Sequence, residues 1–390
     1  MPELYTRRGR NEIFPVANRQ HVMVRGDSFG LSDGIVTGRT TQHFHTASAT
    51  FKGMRLMYAN VYNNAGVDTI GPNTITIKAN IRITGGINLP VFFNGKRSIE
   101  LEPGAVILSD TVGFQLFQGA TFYTRTYVSV ASGQKFPLGR TTDGVNEGIV
   151  AGDFADGSVS VNVGRGYGPS GLFGTPTSYG APPLESPGVL VLGDSITAGA
   201  GDSYSSSDAY GWASRALDGK LGYLNVAVSS AAAADANNQG ELSNRMRMID
   251  AWTPDAALIM FCTNDLAGAD TLTTIKANYK YVVNSMRARG MSVYGATVPP
   301  NTTSTDAWAT TTNQTAYSSE ADRTAFNDWI RAGADSTLAG FFETADAVET
   351  ARNSGIWKAA HTSDGVHPNP TGHAAMAAAV DPTVIGPVLS

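Results

Sequence analysis

The tripeptide Gly-Asp-Ser occurs three times in this chain, at Gly26–Ser28, Gly193–Ser195 and Gly201–Ser203. A serine hydroxyl is a weak nucleophile at neutral pH and attacks a carbonyl only when a base takes its proton. A base of the right kind stands near the C-terminus in HTSDGVHPNPTGH, where Asp364 and His367 are three residues apart. In a loop, that spacing lets the Asp364 carboxylate accept a hydrogen bond from one ring nitrogen of His367. The tautomer is then fixed, and the other nitrogen is left for a serine Oγ. A third polar pair, Asn264 and Asp265, ends an apolar run in FCTNDLAG. An asparagine amide at such a strand end can donate to an oxyanion.

Position separates the three serines. Ser195 closes the continuous apolar run GVLVLGDS, the pattern of a strand buried on both faces. Helical text follows, so the serine stands at a sheet edge where N–H groups of the next turn face a developing negative charge. Ser203 lies in the loop text GAGDSYSSSD, and Ser28 belongs to a β-like part of the chain with no parallel-sheet edge beneath it. Ser195 is therefore the candidate nucleophile.

The elements around these residues alternate. After GVLVLGDS come helical text at about 208–219, the apolar run LGYLNVAV, a helix near 239–251, the run DAALIMFCTND, and a helix over about 271–289 closed by Gly290. MSVYGATVPP reads as the next strand, 319–332 as a helix, GFFETADAV as a strand, and PTGHAAMAAAV as a last helix with Pro370 in its first turn. Strands alternating with helices imply crossover connections and a parallel sheet covered on both faces. Residues 186–390 are expected to form an α/β domain with its functional groups where strands end and loops begin.

The earlier part reads differently. Ile75, Ile77, Ala79, Ile81 and Ile83 alternate with polar residues, and the segments at 54–63, 98–108, 112–117 and 121–130 are similar, with Gly, Pro and Asn between them. Short strands at this spacing predict an antiparallel sandwich. The text from 164 to 187 is rich in Gly, Pro and Ser and reads as a connector without helix or strand, which places a domain boundary near 185. The expected division is 1–185, a β-sandwich with its connector, and 186–390.

Composition limits the partners. The 390 residues carry a net charge of −5 without basic clusters, which argues against nucleic acid. No apolar run is long enough for a membrane span. The single cysteine, Cys262, rules out an internal disulfide framework and any multi-cysteine zinc site. His43 and His45 share one face of a strand without an evident third ligand, so no metal and no cofactor is expected. The first residues show no signal peptide, while abundant Gly, Thr, Ser and Asn suit an extracellular protein; the compartment and the oligomeric state stay open.

Four blocks together carry a resemblance. GDSITAG, NVAVSS, CTND and DGVHPN, in this order over about 200 residues, are similar to the signature blocks of SGNH (GDSL-type) hydrolases. The resemblance implies a flavodoxin-like three-layer fold and ester hydrolysis with Ser195 as nucleophile, His367 as base and Asp364 as its orienting carboxylate. It also implies oxyanion donors at the Ser195 N–H, the Ser230 N–H and the Asn264 side chain. Ser230 and Cys262 stand where the family pattern has glycine. A β-carbon at Ser230 is expected beside the acyl pocket, and Cys262 is read as a small buried apolar residue. The part before 185, through MRLMYANVYNN and SIELEPGAVILSDTVGFQL, resembles the jelly-roll-like sandwich found ahead of the serine block in some bacterial GDSL-type proteins.

The expected reaction is hydrolysis of short-chain carboxylic esters on an acylated small molecule or an acetylated glycan, O-acetyl carbohydrate foremost. A lipase, lysophospholipase or thioesterase with the same triad is the enzyme alternative, and a non-catalytic carbohydrate-binding or structural protein is the other. The Thr- and Ser-rich stretch 299–318 is expected to border the site, with Trp308 and Trp357 as candidates to line it.

Overall fold

In the computed structural model the described residues are 14–15, 30–47, 50–64, 67–139, 141–142, 147–176, 188–203, 210–218, 220–237, 243–252 and 254–386. The alternating segment Ile75–Ile83 is a strand with Ile75, Ile77, Ala79 and Ile81 fully buried. It lies within an antiparallel sheet ordered Gly148–Ala151, Gly38–Thr46, Thr121–Ser129, Ile75–Ile83, Ile87–Pro90, with Ser98–Leu101 also paired to Ile75–Ile83. A second antiparallel sheet runs Phe14–Pro15, Gly171–Pro176, Phe51–Ala59, Val112–Leu116, with Val106–Leu108 also paired to Phe51–Ala59. Phe51, Met54, Leu56 and Tyr58 of the second sheet meet the isoleucines, Phe122 and Val128 of the first, so the two form a sandwich over one apolar core.

Part of the expected connector is a strand. Gly171–Pro176 pairs along Phe51–Met57, with Leu172 inside the sandwich and Phe173 on the opposite face. Glycine belongs at 171 because a β-carbon there would stand 2.8 Å from the Phe173 ring and 3.2 Å from Met57. Residues 177–187, which hold the expected boundary, lie outside the described residues.

The second part is built on five parallel strands in the order Tyr223–Asn225, Val189–Gly193, Ala256–Met260, Ser292–Ala296, Gly340–Phe342. This is the 2-1-3-4-5 order of flavodoxin-like sheets, whose switch point lies between the first and third strands in chain order. The helices Trp212–Leu217, Ser243–Ala251, Leu272–Arg287, Glu320–Arg331 and Pro370–Ala378 fall where the sequence places them. The expected strand GFFETADAV is cut short: Gly340–Phe342 is strand, and Thr344–Val348 is a helix. Thr297, at the end of the neighbouring strand, starts that helix by accepting from the Ala345 N–H at its Oγ1 (2.9 Å), while its carbonyl accepts from Thr344 Oγ1.

From Leu56 to Ala59 the strand Phe51–Ala59 is buried on both faces. Leu56 and Tyr58 point into the sandwich, while Met57 and Ala59 join Val61 and Phe173 in the core of the α/β part. Phe173 lies against Trp252 at a ring-centroid distance of 5.3 Å. No helix among the described residues is long and apolar enough to cross a membrane.

Candidate active site

The strands Val189–Gly193 and Ala256–Met260 lie side by side and release their chains into the crevice at the switch point. Gly193 permits the close approach, since a β-carbon there would meet the Met260 carbonyl at 2.3 Å. Asp194 then turns the chain: one carboxylate oxygen caps the short helix Ser195–Ala198 through the Ile196 N–H (3.0 Å), and the other accepts from the Thr263 N–H (3.3 Å). Its burial is complete and pushes its carboxyl up to about 6, although these backbone donors favour the charged form. Ser195 takes the first helical position, where the N–H has no acceptor within its own helix.

The helix ends at Gly199 (φ 99°), and Gly201 (φ 87°) follows. A β-carbon at Gly201 would stand 2.4 Å from the Pro368 carbonyl, so glycine lets the serine turn lie against the histidine loop. Ser195 Oγ is 2.9 Å from His367 Nε2, and His367 Nδ1 is 2.7 Å from Asp364 Oδ2. With the Nδ1 proton directed at the carboxylate, Nε2 accepts from the serine hydroxyl. Asp364 Oδ1 also accepts from the backbone N–H groups of Val366 (2.8 Å) and His367 (2.7 Å). Partial burial alone would raise the Asp364 carboxyl, but the His367 ring and these two N–H groups outweigh it and hold the carboxyl well below the usual range.

The loop carrying this pair is fixed at Gly365 (φ 80°). Its carbonyl accepts from Trp357 Nε1 and from the Thr302 N–H, each at 3.0 Å. The stretch 299–318 thus borders the site as the hairpin Thr302–Ser304 and Gln314–Ala316. Trp357 is fully buried behind the loop, and Trp308 donates from Nε1 to Thr302 Oγ1 (2.9 Å).

The other predicted groups sit on two adjoining turns. Ser230 is exposed and has φ 66°, at a turn closed by the Ala231 N–H on the Val228 carbonyl. Asn264 Nδ2 donates to the Ala231 carbonyl at 2.9 Å. Buried Asp265 accepts from the Ala233 and Ala234 N–H groups, each at 3.0 Å, and so starts the helix Ala233–Asn237. Sequence reasoning assigned Asp265 no role, and no local signal was available because its partners are 31 and 32 positions away. Asn225 was missed as well; it accepts from the Ala227 N–H and donates to the Thr197 carbonyl, tying the second block to the serine helix.

Cys262 is fully buried with φ 92°. Burial, reinforced by Asp265 and Asp194, pushes its thiol far above the usual value, which removes it as a nucleophile. Ser203 is exposed, beside an Asp202 held by Arg215 (2.6 Å). Ser28 lies outside the described residues. His43 and His45 are buried within the sandwich, His45 Nε2 lying 2.8 Å from Thr124 Oγ1. Among the described residues no three His, Cys, Asp or Glu side chains gather as a metal site.

Residues 191–375 match the family model of the GDSL-like lipase/acylhydrolase family. Among solved structures, a GDSL-like lipase from Bacteroides thetaiotaomicron VPI-5482 is similar at 19% identity, covering 52% of this chain and 89% of that one, with a TM-score of 0.38. Axe2, an acetylxylan esterase from Geobacillus stearothermophilus, is similar at 20% identity, covering 50% of this chain and 91% of that one, with a TM-score of 0.36. Comparison with curated proteins gives no match. Residues 191–375, with the four blocks in order on a 2-1-3-4-5 parallel sheet, are a domain of the GDSL-like lipase/acylhydrolase family.

Proposed function

We propose that this chain is a serine carboxylic-ester hydrolase acting on short acyl groups, O-acetyl groups of carbohydrate foremost. The observation that carries the reading is the continuous relay from Ser195 Oγ to His367 Nε2 (2.9 Å) and from His367 Nδ1 to Asp364 (2.7 Å). Ser195 Oγ attacks the ester carbonyl as its proton passes to Nε2, and the imidazolium is stabilised by Asp364. The oxyanion is held by the N–H groups of Ser195 and Ser230 and by the Asn264 amide. An amide carries two hydrogens, so Asn264 Nδ2 can hold the Ala231 carbonyl with one and the oxyanion with the other. His367 then protonates the leaving alcohol, and water repeats the cycle on the acyl enzyme.

Preference for a short acyl group is supported by the sequence around the four blocks, where no long apolar stretch suggests a channel for an alkyl chain. Turnover of p-nitrophenyl acetate, butyrate and octanoate, together with acetylated xylan and peracetylated glucose, tests this. The expected order has acetyl esters at the highest kcat/KM and release of acetate from at least one sugar. A preference for octanoyl esters would favour a lipase or thioesterase, and absence of turnover throughout would favour a non-catalytic binding protein.

A further inference from the structure

Asp68 lies in the β-rich part, on the strand Val67–Ile70 of the hairpin it forms with Val61–Asn64. Its carboxylate accepts from Nε (2.7 Å) and from the backbone N–H (3.3 Å) of Arg245, in the first turn of the helix Ser243–Ala251 of the α/β part. Both side chains are fully buried. The same guanidinium donates from Nη1 to the carbonyl of Val226 (3.3 Å). Val226 opens the segment that leads to Ser230: its N–H donates to the Val191 carbonyl (2.8 Å), the Val228 N–H donates to the Gly193 carbonyl (3.1 Å), and the Ala231 N–H closes the turn on Val228. That segment therefore rests on the serine strand on one side, on Asn264 at its far end, and on Arg245 at its near end.

We propose that the β-rich part helps to build the ester-hydrolysing site, with Asp68 and Arg245 acting as positioning residues for the segment that presents the Ser230 N–H. The proposal rests on the proposed function, in which that N–H meets the oxyanion. A buried guanidinium stays in place only where an opposite charge and acceptors meet it. Here the charge comes from the other part of the chain, 177 positions away, and the acceptor is the backbone of the second block. Neither side chain touches substrate. Their effect passes through the Val226 carbonyl to the turn, where a small displacement costs transition-state stabilisation more than substrate binding.

Hydrogen–deuterium exchange on the full chain, read on peptides covering 224–231, tests the proposal together with kcat and KM for p-nitrophenyl acetate. Asp68→Asn and Arg245→Lys should each speed exchange of the Val228 and Ala231 amides about tenfold and lower kcat about tenfold, with KM little changed. Arg247→Ala is the control, because Arg247 also joins the two parts, through the Gly104 carbonyl at 2.9 Å, without reaching the second block. It should leave both readouts at the wild-type level. Unchanged exchange in Asp68→Asn and Arg245→Lys, or an equal rise in Arg247→Ala, would overturn the proposal, the latter by reducing the ion pair to general adhesion between the parts. If Asp68→Asn does not fold, the conservative Arg245→Lys decides alone. A wild-type protein that hydrolyses no ester would sink the proposed function, while exchange would still decide whether Arg245 holds the segment.

Discussion

The Asn264 amide donates to the Ala231 carbonyl at 2.9 Å, so the side chain expected to meet an oxyanion also holds the turn that carries a second expected donor. Removing it acts twice. Asn264→Ala should lower kcat by about 10² to 10³ through loss of a donor, and should destabilise the fold by about 1 kcal/mol through loss of the Ala231 bond. Steady-state kinetics and urea unfolding separate the two effects. A stability loss with unchanged kcat would leave Asn264 with the turn alone.

Ser195 and Ser203 share the Gly-Asp-Ser context, but only Ser195 faces an imidazole in the described geometry. Ser195→Ala should reduce kcat by roughly 10⁴ or more, while Ser203→Ala and Ser28→Ala should keep ester turnover. If Ser203→Ala proved to be the inactive variant, the relay drawn from Ser195 would not be the catalytic one.

The left-handed backbone at Ser230 (φ 66°) bears on stability. A non-glycine residue in this region carries a penalty of roughly 1–2 kcal/mol, and glycine returns about 0.5–1 kcal/mol of that through its freer unfolded chain. Ser230→Gly should therefore raise stability by up to about 1.5 kcal/mol, seen as an increase in Tm. If the serine side chain also narrows the acyl pocket, the octanoyl-to-acetyl ratio of kcat/KM should rise as well. A lower Tm would show that the Ser230 side chain makes a stabilising contact that outweighs the strain.

His373 gives the fold an acid-sensitive point. It is fully buried, accepts from the Trp212 N–H at Nδ1 (3.1 Å) and donates from Nε2 to the Ala200 carbonyl (2.9 Å), an arrangement that requires the neutral ring. Burial pushes its pKa down to about 4 from an ordinary 6.5. Its contribution is therefore fully present above pH 6.5 and is lost as the pH falls toward 4, up to about 3 kcal/mol by the shift. Asp194 has the opposite sign, since a carboxyl raised to about 6 favours folding at low pH and loses that advantage as the pH rises through 6. Comparison with His373→Gln isolates the histidine. Urea unfolding at pH 7 and 4.5 should show a smaller pH-dependent loss in the variant, and equal losses would mean that His373 is not the titrating group.

Legibility followed the range of the interactions. Val189–Gly193 and Ala256–Met260 are short, continuous apolar runs, and burial on both faces leaves little else for them to be. GFFETADAV misleads after Phe342 because Thr297, from another strand, starts a helix at Thr344. Gly171–Pro176 looks like a linker by composition, yet Gly171 is demanded by the Phe173 ring and the Met57 side chain beside it. In the site, Asp364 and His367 are readable because a three-residue spacing determines what they can do to each other. The Asp265 and Arg245 contacts are not readable, since each joins segments that only the finished fold brings together.

The strand Phe51–Ala59 answers to two cores, with Leu56 and Tyr58 in one and Met57 and Ala59 in the other. A substitution that suits the sandwich must also suit the α/β core, with no solvent-facing side along Leu56–Ala59 to absorb a mismatch. Recombination that grafted this hydrolase half onto a different leader would strand Phe173 and Trp252 without each other. Exchange of either half alone would have to carry the opposing face along to keep both cores filled.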